Sequence, residues 1–257
     1  MKFIHFVILS FLITLSNAQN VRIQMHSHND YEQDFPLSKA LSNNFKSIEV
    51  DVLEFNDKII VSHDDDKLQL KPTLKDLYLE PLSKYAFQEN QTIYLLIDLK
   101  MEGDKILNVL HKLLNSYPQL FKNRYDDSNN SPIQVILSGS VDIDFVISND
   151  SFYYFFVDGR PEHLFQKYDS HLMPLISYNF EDLFSWKPTK KITKSNIDPI
   201  INLIKTTHQE GKIMRFWNTP DEPDLWDLLL ALKVDIIGVD DIEKFVTYST
   251  KFNKSTF

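Results

Sequence analysis

His26 and His28, Glu49 and Asp51, and Asp98 and Lys100 are pairs whose members lie two residues apart, with His63 placed between the second pair and the third. On a β-strand, residues i and i+2 point to one side, so each pair projects both side chains into the same space. The neighbouring positions are apolar: Ile48, Val50 and Val52 around the first acidic pair, Ile97 and Leu99 around Asp98. A carboxylate on an otherwise hydrophobic strand is costly to bury unless it holds a metal or a partner charge. These residue types offer proton transfer by histidine, capture of a hard cation by carboxylates, and binding of an anion by lysine.

Glu49, Asp51 and Asp98 are oxygen donors suited to one divalent cation, Mg²⁺ or Ca²⁺, with open positions left for water or substrate. Three carboxylates would repel a phosphate unless the cation were bound, and Lys100 then adds a fixed positive charge for a phosphoryl oxygen. Two histidines on opposite sides of a phosphodiester can serve as general base and general acid, since their ordinary pKa lies near neutrality.

The elements that must position these residues alternate along the chain. Apolar runs predict strands over 22–26, 47–54 with 59–62 beside it, 93–100, 133–137, 152–158, 173–178, 212–217 and 235–239. Most are the near-continuous hydrophobic runs of a sheet covered on both faces. Helical patterns fall between them, over 36–43, 104–115, 161–167, 198–209 and 223–232. Leu107, Leu110, His111 and Leu114 follow the i, i+3, i+4, i+7 spacing of an amphipathic helix, and Pro223 suits a first helical turn. This alternation predicts an α/β fold, a TIM-type (β/α)8 barrel in a single domain, with a doubly wound open sheet as the alternative. In such a barrel, functional residues gather where strands end and βα loops begin. His26, His28, Glu49, Asp51, Asp98 and Lys100 sit at such exits, and Ser138, Asp158, Asn179, Arg215 with Trp217, and Asp240 occupy equivalent ones downstream.

Composition narrows the function. Lys2, the apolar stretch from Phe6 to Leu15 and Ser16-Asn17-Ala18 read as a signal peptide over 1–18, leaving a barrel domain over 19–257 that is exported to a periplasm or the medium. The chain has no cysteine, which excludes thiolate metal sites, a cysteine nucleophile and disulfides. Its formal net charge of −9 comes with no basic patch of the kind that binds nucleic acid. Lys187 to Lys194 is the one basic cluster, a solvated loop with at most a peripheral contact to anionic lipid. With five glycines in all, a glycine-rich phosphate cradle or dinucleotide fingerprint is not available.

His26-Ser-His-Asn-Asp-Tyr31, Ser47-Ile-Glu-Val-Asp-Val52, Val61-Ser-His-Asp64, the stretch Thr73–Leu82 and Leu96-Ile-Asp-Leu-Lys100 together resemble the phospholipase-C-like phosphodiesterase superfamily. That superfamily includes glycerophosphodiester phosphodiesterases and sphingomyelinase D, and the branch most similar here is the one related to the fungal altered inheritance of mitochondria protein. The resemblance implies a barrel that hydrolyses a small-molecule or lipid phosphodiester with two histidines and one divalent cation. It assigns Glu49, Asp51 and Asp98 to the metal, His63 to the second acid/base and Lys100 to the substrate. It points to His26, followed by Asn29 as a substrate contact, as the first acid/base, with His28 as an auxiliary ligand or phosphate donor. Glycerophosphodiesterases typically carry His-Arg-Gly here; this chain has Ser27 after His26 and Asn29 after His28, so the phosphate-gripping arginine is missing, Arg215 is expected to compensate and Trp217 to stack on or shield the leaving group. Two other readings fit parts of the pattern: a metallo-hydrolase of the amidohydrolase or histidinol-phosphatase type, and a non-catalytic barrel that binds phosphorylated head groups.

Overall fold

The computed structural model describes residues 24–251, apart from 127, 186 and 188–192. The signal peptide over 1–18 and most of the Lys187–Lys194 cluster therefore lie outside the described residues. The strands are β1 (Gln24–Ser27), β2 (Ser47–Phe55), β3 (Lys58–Val61), β4 (Ile93–Leu99), β5 (Ile133–Gly139), β6 (Phe155–Gly159), β7 (Leu175–Asn179), β8 (Ile213–Trp217) and β9 (Ile236–Val239). Taken round the sheet, β1-β2-β4-β5-β6-β7-β8-β9 are parallel neighbours, and β9 returns to pair with β1. The ring closes as the eight-stranded parallel barrel that the alternation predicts, not as an open sheet.

The remaining strand, β3, is antiparallel and belongs to β2. β2 spends its first residues on β1 (Ser47 opposite His26) and its last on β3 (Phe55 opposite Lys58). The two-residue connection, Asn56 and Asp57, has φ of 51° and 57°. Positive φ at both central positions is what a tight hairpin turn of matching twist requires, and Asn and Asp tolerate it.

Two apolar layers hold the barrel. The large one lies between strands and surrounding helices, and includes Ile48, Val50, Val52, Ile97 and Leu99, the residues that alternate with the acidic pairs. The small one fills the barrel itself: Leu96, Ile136, Phe156, Leu175 and Ile236, with Tyr94 and Ile213 below. One pleat further along each strand, the inward positions become polar, as Asp98 follows Leu96, Ser138 follows Ile136, Asp158 follows Phe156 and Ser177 follows Leu175. The lining is oil at mid-height and charge at the C-terminal end of the strands, the end where barrels carry their sites.

The helices are α1 (Ser38–Ser42), α2 (Glu80–Ser83), α3 (Asp104–Leu114), α4 (Ile143–Ser148), α5 (Phe180–Leu183), α6 (Lys194–Gln209), α7 (Pro223–Ala231) and α8 (Ile242–Ser249). α3 buries Ile106, Leu107, Leu110 and Leu114, close to the stripe read from sequence, while His111 lies half-buried on its flank. α7 begins on Pro223 as expected. α6 starts four residues before the predicted boundary because Thr193 and Asn196 form a capping box there. The helix predicted over 161–167 does not form beyond one turn, Pro161–His163. Phe165 turns to φ 59°, and Asp169 then takes the backbone N–H groups of His171 and Leu172, so local side-chain bonds replace the helix.

The N-terminal end of the barrel is closed by charge pairs. Asp235, buried, accepts from the backbone N–H of Met214 (2.7 Å) and bonds His208 Nε2 at 2.7 Å. The hydrogen bond to Asp235 raises the His208 pKa above its ordinary value, against the opposing effect of burial. A raised folded pKa adds stability that is complete below the unfolded value and fades as pH climbs through the folded one. His208→Ala should therefore cost about 1 kcal/mol of unfolding free energy in urea melts near about pH 5.5, and less near about pH 9. An equal loss at both pH values would show that the charge of His208 contributes nothing.

Candidate active site

The site starts from Glu49. It faces into the barrel from β2, almost fully buried, and its Oε2 bonds both His26 Nε2 (2.6 Å) and Arg215 Nη2 from β8. Burial alone would push the carboxyl up, but the Arg215 guanidinium and the His26 bond override it and hold Glu49 well below the usual carboxylate range. His26, fully buried, has its other nitrogen on Ser47 Oγ at 2.7 Å. Burial, with the nearby charge of Arg215, pushes His26 down to about 4, so the ring is neutral at pH 7. An ionised carboxylate only accepts, so Nε2 carries the proton to Glu49 and Nδ1 accepts from the Ser47 hydroxyl.

Asp51 and Asp98 stand directly opposite one another on β2 and β4. Lys100 Nζ lies between them, 3.2 Å from Asp51 Oδ2 and 3.1 Å from Asp98 Oδ2. Tyr31 donates its hydroxyl to Asp51 Oδ2 at 2.9 Å. The second oxygen of each carboxylate, Oδ1, is buried with no hydrogen-bond partner. Burial raises both pKa values in spite of Lys100, so the pair is under-compensated as it stands. Glu49, Asp51 and Asp98 each bring one oxygen within 4.8 Å of the others. Three hard donors converging, two of them with unbonded buried oxygens, fit a divalent cation.

Gly139 makes room for this geometry. A Cβ at that position would stand 1.8 Å from Asp98 Oδ1, and its φ of 75° disfavours any other residue.

The loop after β1 supplies the next layer. Asp30, fully buried, accepts from Ser27 Oγ (2.7 Å), the backbone N–H of Leu37 (2.6 Å) and Tyr78 OH (2.9 Å), which pins the loop to the barrel. Asn29 turns through φ 44°. His28 emerges at the mouth with Nδ1 on Asp240 Oδ1 at 2.6 Å, leaving Nε2 for a ligand. Burial opposes its protonation, but the bond to Asp240 and the charge of Glu49 raise its pKa overall. Asp240 is held in turn by Asp221, which accepts from the backbone N–H groups of Asp240 (3.1 Å) and Asp241 (2.7 Å). Two clefts meet at His28: one of ≈ 540 Å³ bordered by Asn29, Glu32 and Lys39, and one of ≈ 200 Å³ floored by Arg215 and walled by Trp217, which is 39 % exposed.

The structure thus brings together His26, His28, Glu49, Asp51, Asp98, Lys100 and Arg215, with Asn29 and Trp217 at the edges. Two sequence expectations change, for Arg215 and for His26, whose buried ring has both nitrogens bonded and no free position toward a substrate. Arg215 is not an open phosphate grip, because it is buried and its Nη2 is committed to Glu49. His63 stands at the exit of β3 with an exposed side chain, its Nδ1 on Asp64 Oδ1 at 2.9 Å, at the rim and not in the acidic cluster. Two later histidines do not join either: His208 serves the opposite end and His163 takes the Arg160 backbone N–H. A metallo-hydrolase site built on further histidines therefore finds no counterpart in them. Sequence reasoning missed Asp221 and Arg160. Asp221 sits in an acidic turn indistinguishable from solvated surface, and Arg160 reaches Asp158 Oδ2 at 2.9 Å from the far wall, where Ser138 Oγ also binds it at 2.9 Å.

The chain is similar to several known proteins. Residues 16–90 match the family model of the AIM6-like phosphodiesterase domain. The altered inheritance of mitochondria protein 6 homolog of Arthroderma benhamiae is 28 % identical over 260 residues, covering 86 % of this chain and 82 % of that one. The corresponding protein of Eremothecium gossypii is 26 % identical over 269 residues, covering 87 % and 68 %. Among solved structures, a glycerophosphodiester phosphodiesterase from Parabacteroides distasonis superposes with a TM-score of 0.59 at 15 % identity, covering 91 % of this chain and 99 % of that one. A putative glycerophosphoryl diester phosphodiesterase from Silicibacter pomeroyi gives 0.57 at 12 % identity, covering 91 % and 95 %. At such identities the superpositions speak for the fold. The family model and the fungal relatives bear out the resemblance to the phospholipase-C-like phosphodiesterase superfamily.

If Glu49, Asp51 and Asp98 take a divalent cation, adding Mg²⁺ or Ca²⁺ after chelation should raise the melting temperature, since a ligand of the folded state at about a hundredfold its Kd adds about 2.7 kcal/mol. Gly139→Ala should fold with a loss of more than about 1 kcal/mol and should lose that cation response, because Asp98 is displaced. Differential scanning calorimetry with and without chelator decides it; an undiminished response in the variant would separate Asp98 from the cation.

Proposed function

We propose that this barrel is a phosphoric diester hydrolase dependent on one divalent cation, Mg²⁺ or Ca²⁺, and acting on glycerophosphodiester or phospholipid-type substrates. The observation that carries the reading is the convergence of Glu49, Asp51 and Asp98 around a point flanked by Lys100, with His28 and its partner Asp240 beside it. The cation would be held by those three carboxylates and would supply charge for the non-bridging phosphoryl oxygens and for an attacking or departing oxygen.

Each residue of the chain then has a task. Lys100 adds a second positive charge to a phosphoryl oxygen and, in doing so, leaves its two aspartates to the cation. His28 acts as one acid/base: Asp240 fixes its Nδ1 as the proton-bearing nitrogen, so Nε2 faces the substrate. This gives His28 the acid/base role expected for His26. His26 is buried with both nitrogens bonded, has no free position toward a substrate, and orients Glu49 instead. His63, on the rim, is the second acid/base, reaching the opposite side of the phosphodiester. Trp217 and Asn29 border the two clefts and contact the alcohol groups on either side of the phosphate. The nucleophile is a neighbouring substrate hydroxyl or water, and the two routes differ by a cyclic phosphate product. The same reading makes the protein an exported enzyme of small-molecule or lipid phosphodiesters, with at most peripheral membrane contact and no nucleic-acid partner, on the support of its N-terminal apolar stretch and acidic composition.

With bis(p-nitrophenyl) phosphate and a panel of glycerophosphodiesters, activity should vanish with chelator. His28→Ala and His63→Ala should each fall by about a hundredfold or more in kcat with little change in melting temperature. His26→Ala should instead unfold more easily, because it strands Glu49 and Ser47. Turnover surviving in His28→Ala would refute its acid/base role. In Asp240→Asn the limb of the pH–rate profile that belongs to His28 should move to lower pH, since the bond to Asp240 helps, with the charge of Glu49, to raise that pKa.

A further inference from the structure

Arg215 reaches the acidic cluster from β8, across the mouth from β2 and past the two strands between them. It is buried, it donates one Nη to Glu49, and its Nε has no partner. Such a side chain is neither a surface ion pair nor an exposed anion grip. Its charge is delivered to one carboxylate oxygen, the one His26 also binds. Lys100 stands in the same relation to Asp51 and Asp98. Beside the Asp158–Arg160 and Asp240–His28 pairs, the acidic cluster itself therefore holds three carboxylates and two built-in cations, with one negative charge left over. A divalent cation arriving alone reverses that balance and leaves an excess positive charge in a desolvated place. A phosphodiester monoanion arriving with it brings the sum to zero.

From this balance we infer that Arg215 is a resident counter-ion of the cation site: it keeps the affinity for a lone divalent cation low and makes tight binding depend on a phosphodiester monoanion. The inference rests on the reading of Glu49, Asp51 and Asp98 as a cation site. It makes Arg215 a positioning residue that sets affinity through Glu49, not a group that touches the reacting atoms. It also distinguishes charge from shape. Only one guanidinium nitrogen meets Glu49, so lysine would preserve the effect that a bidentate fork could not share.

The test uses the full chain, stripped with chelator, titrated with Mg²⁺ by calorimetry and with Mn²⁺ by electron paramagnetic resonance, each with and without saturating dimethyl phosphate. Wild type should bind one Mg²⁺ weakly and tighten about tenfold with dimethyl phosphate. Arg215→Gln should bind Mg²⁺ alone about tenfold tighter and gain less from dimethyl phosphate. Arg215→Lys should stay within about threefold of wild type. An unchanged or weaker Mg²⁺ affinity in Arg215→Gln, or a Lys variant as tight as the Gln variant, overturns the inference. So does a Gln variant that loses only dimethyl phosphate binding, which would make Arg215 a substrate grip. Should Arg215→Gln lack a cooperative melt, the other two proteins decide: no tightening by dimethyl phosphate in wild type, or tenfold tighter Mg²⁺ in Arg215→Lys, is fatal. Asp98→Asn separates the underlying reading. If wild type takes up no Mg²⁺ or Mn²⁺ with or without dimethyl phosphate, the cation site itself fails; if binding is present and lost in Asp98→Asn, the site stands whatever Arg215 does.

Discussion

The mouth of this barrel is organised by one buried triangle, in which a single oxygen of Glu49 is shared by His26 and Arg215. An ionised carboxylate cannot lie inside a barrel without compensation, because leaving a buried charge unpaired costs several kcal/mol. The compensation comes from β1 and β8, so the triangle ties the adjacent β1 and β2 to β8, which neighbours neither. Below it the barrel is filled by Leu96, Ile136, Phe156, Leu175 and Ile236, which exclude water and make the electrostatics above them strong. Once Glu49 is fixed, strand geometry does the rest. Asp51 lies one pleat higher on the same strand, Asp98 lies opposite it by register, and Lys100 follows two residues on.

Polar residues in the mouth then divide by whether their bonding capacity is filled. His26, Asp30 and Ser47 are buried and engaged, and they act on structure. Asp51 and Asp98 keep an unbonded oxygen, and His28 keeps a ring nitrogen. This division explains the run His28-Asn29-Asp30-Tyr31 residue by residue. His28 faces the clefts, Asn29 supplies the left-handed turn, Asp30 staples the loop through Ser27, Leu37 and Tyr78, and Tyr31 steadies Asp51. A contiguous motif thus combines one exposed reactive group with three residues that hold it and its neighbours in place.

Much of this was legible in the sequence because burial on both sheet faces writes continuous apolar runs, and inward polar residues interrupt them at the strand ends. Glu49, Asp51, Asp98 and Lys100 were found for that reason. The choice between His26 and His28 was not legible, since residues two apart share a face and differ only in depth, which period-two spacing does not encode. Arg215 was found, but its commitment was hidden, because its partner Glu49 is 166 residues away in the chain. The 161–167 segment misled because its composition suits a helix, whereas Phe165 and Asp169 end it through backbone conformation and side-chain bonds that no periodicity reports. Asp221 and Arg160 were invisible for a related reason: each matters through what the fold sets beside it.

The two ends of the barrel carry similar residue types to opposite effect. At the N-terminal end, Lys212 is buried but meets Glu210 and the Tyr168 carbonyl, and Asp235 takes both His208 and the Met214 amide. Asp235 does leave one oxygen unbonded, yet its other oxygen accepts two donors. At the C-terminal end, Asp51 and Asp98 each leave an oxygen unbonded, side by side, with Glu49 within reach, and Asp158 and Asp221 leave one each nearby. An unsatisfied buried acceptor costs about 1–3 kcal/mol, and setting like charges together adds to that. A fold selected for stability alone would relieve such a cluster with apolar or amide side chains. It persists where strands end, lined by Gly139, whose missing side chain leaves Asp98 its place, and that pairing of electrostatic cost with built space is what distinguishes a site from a surface.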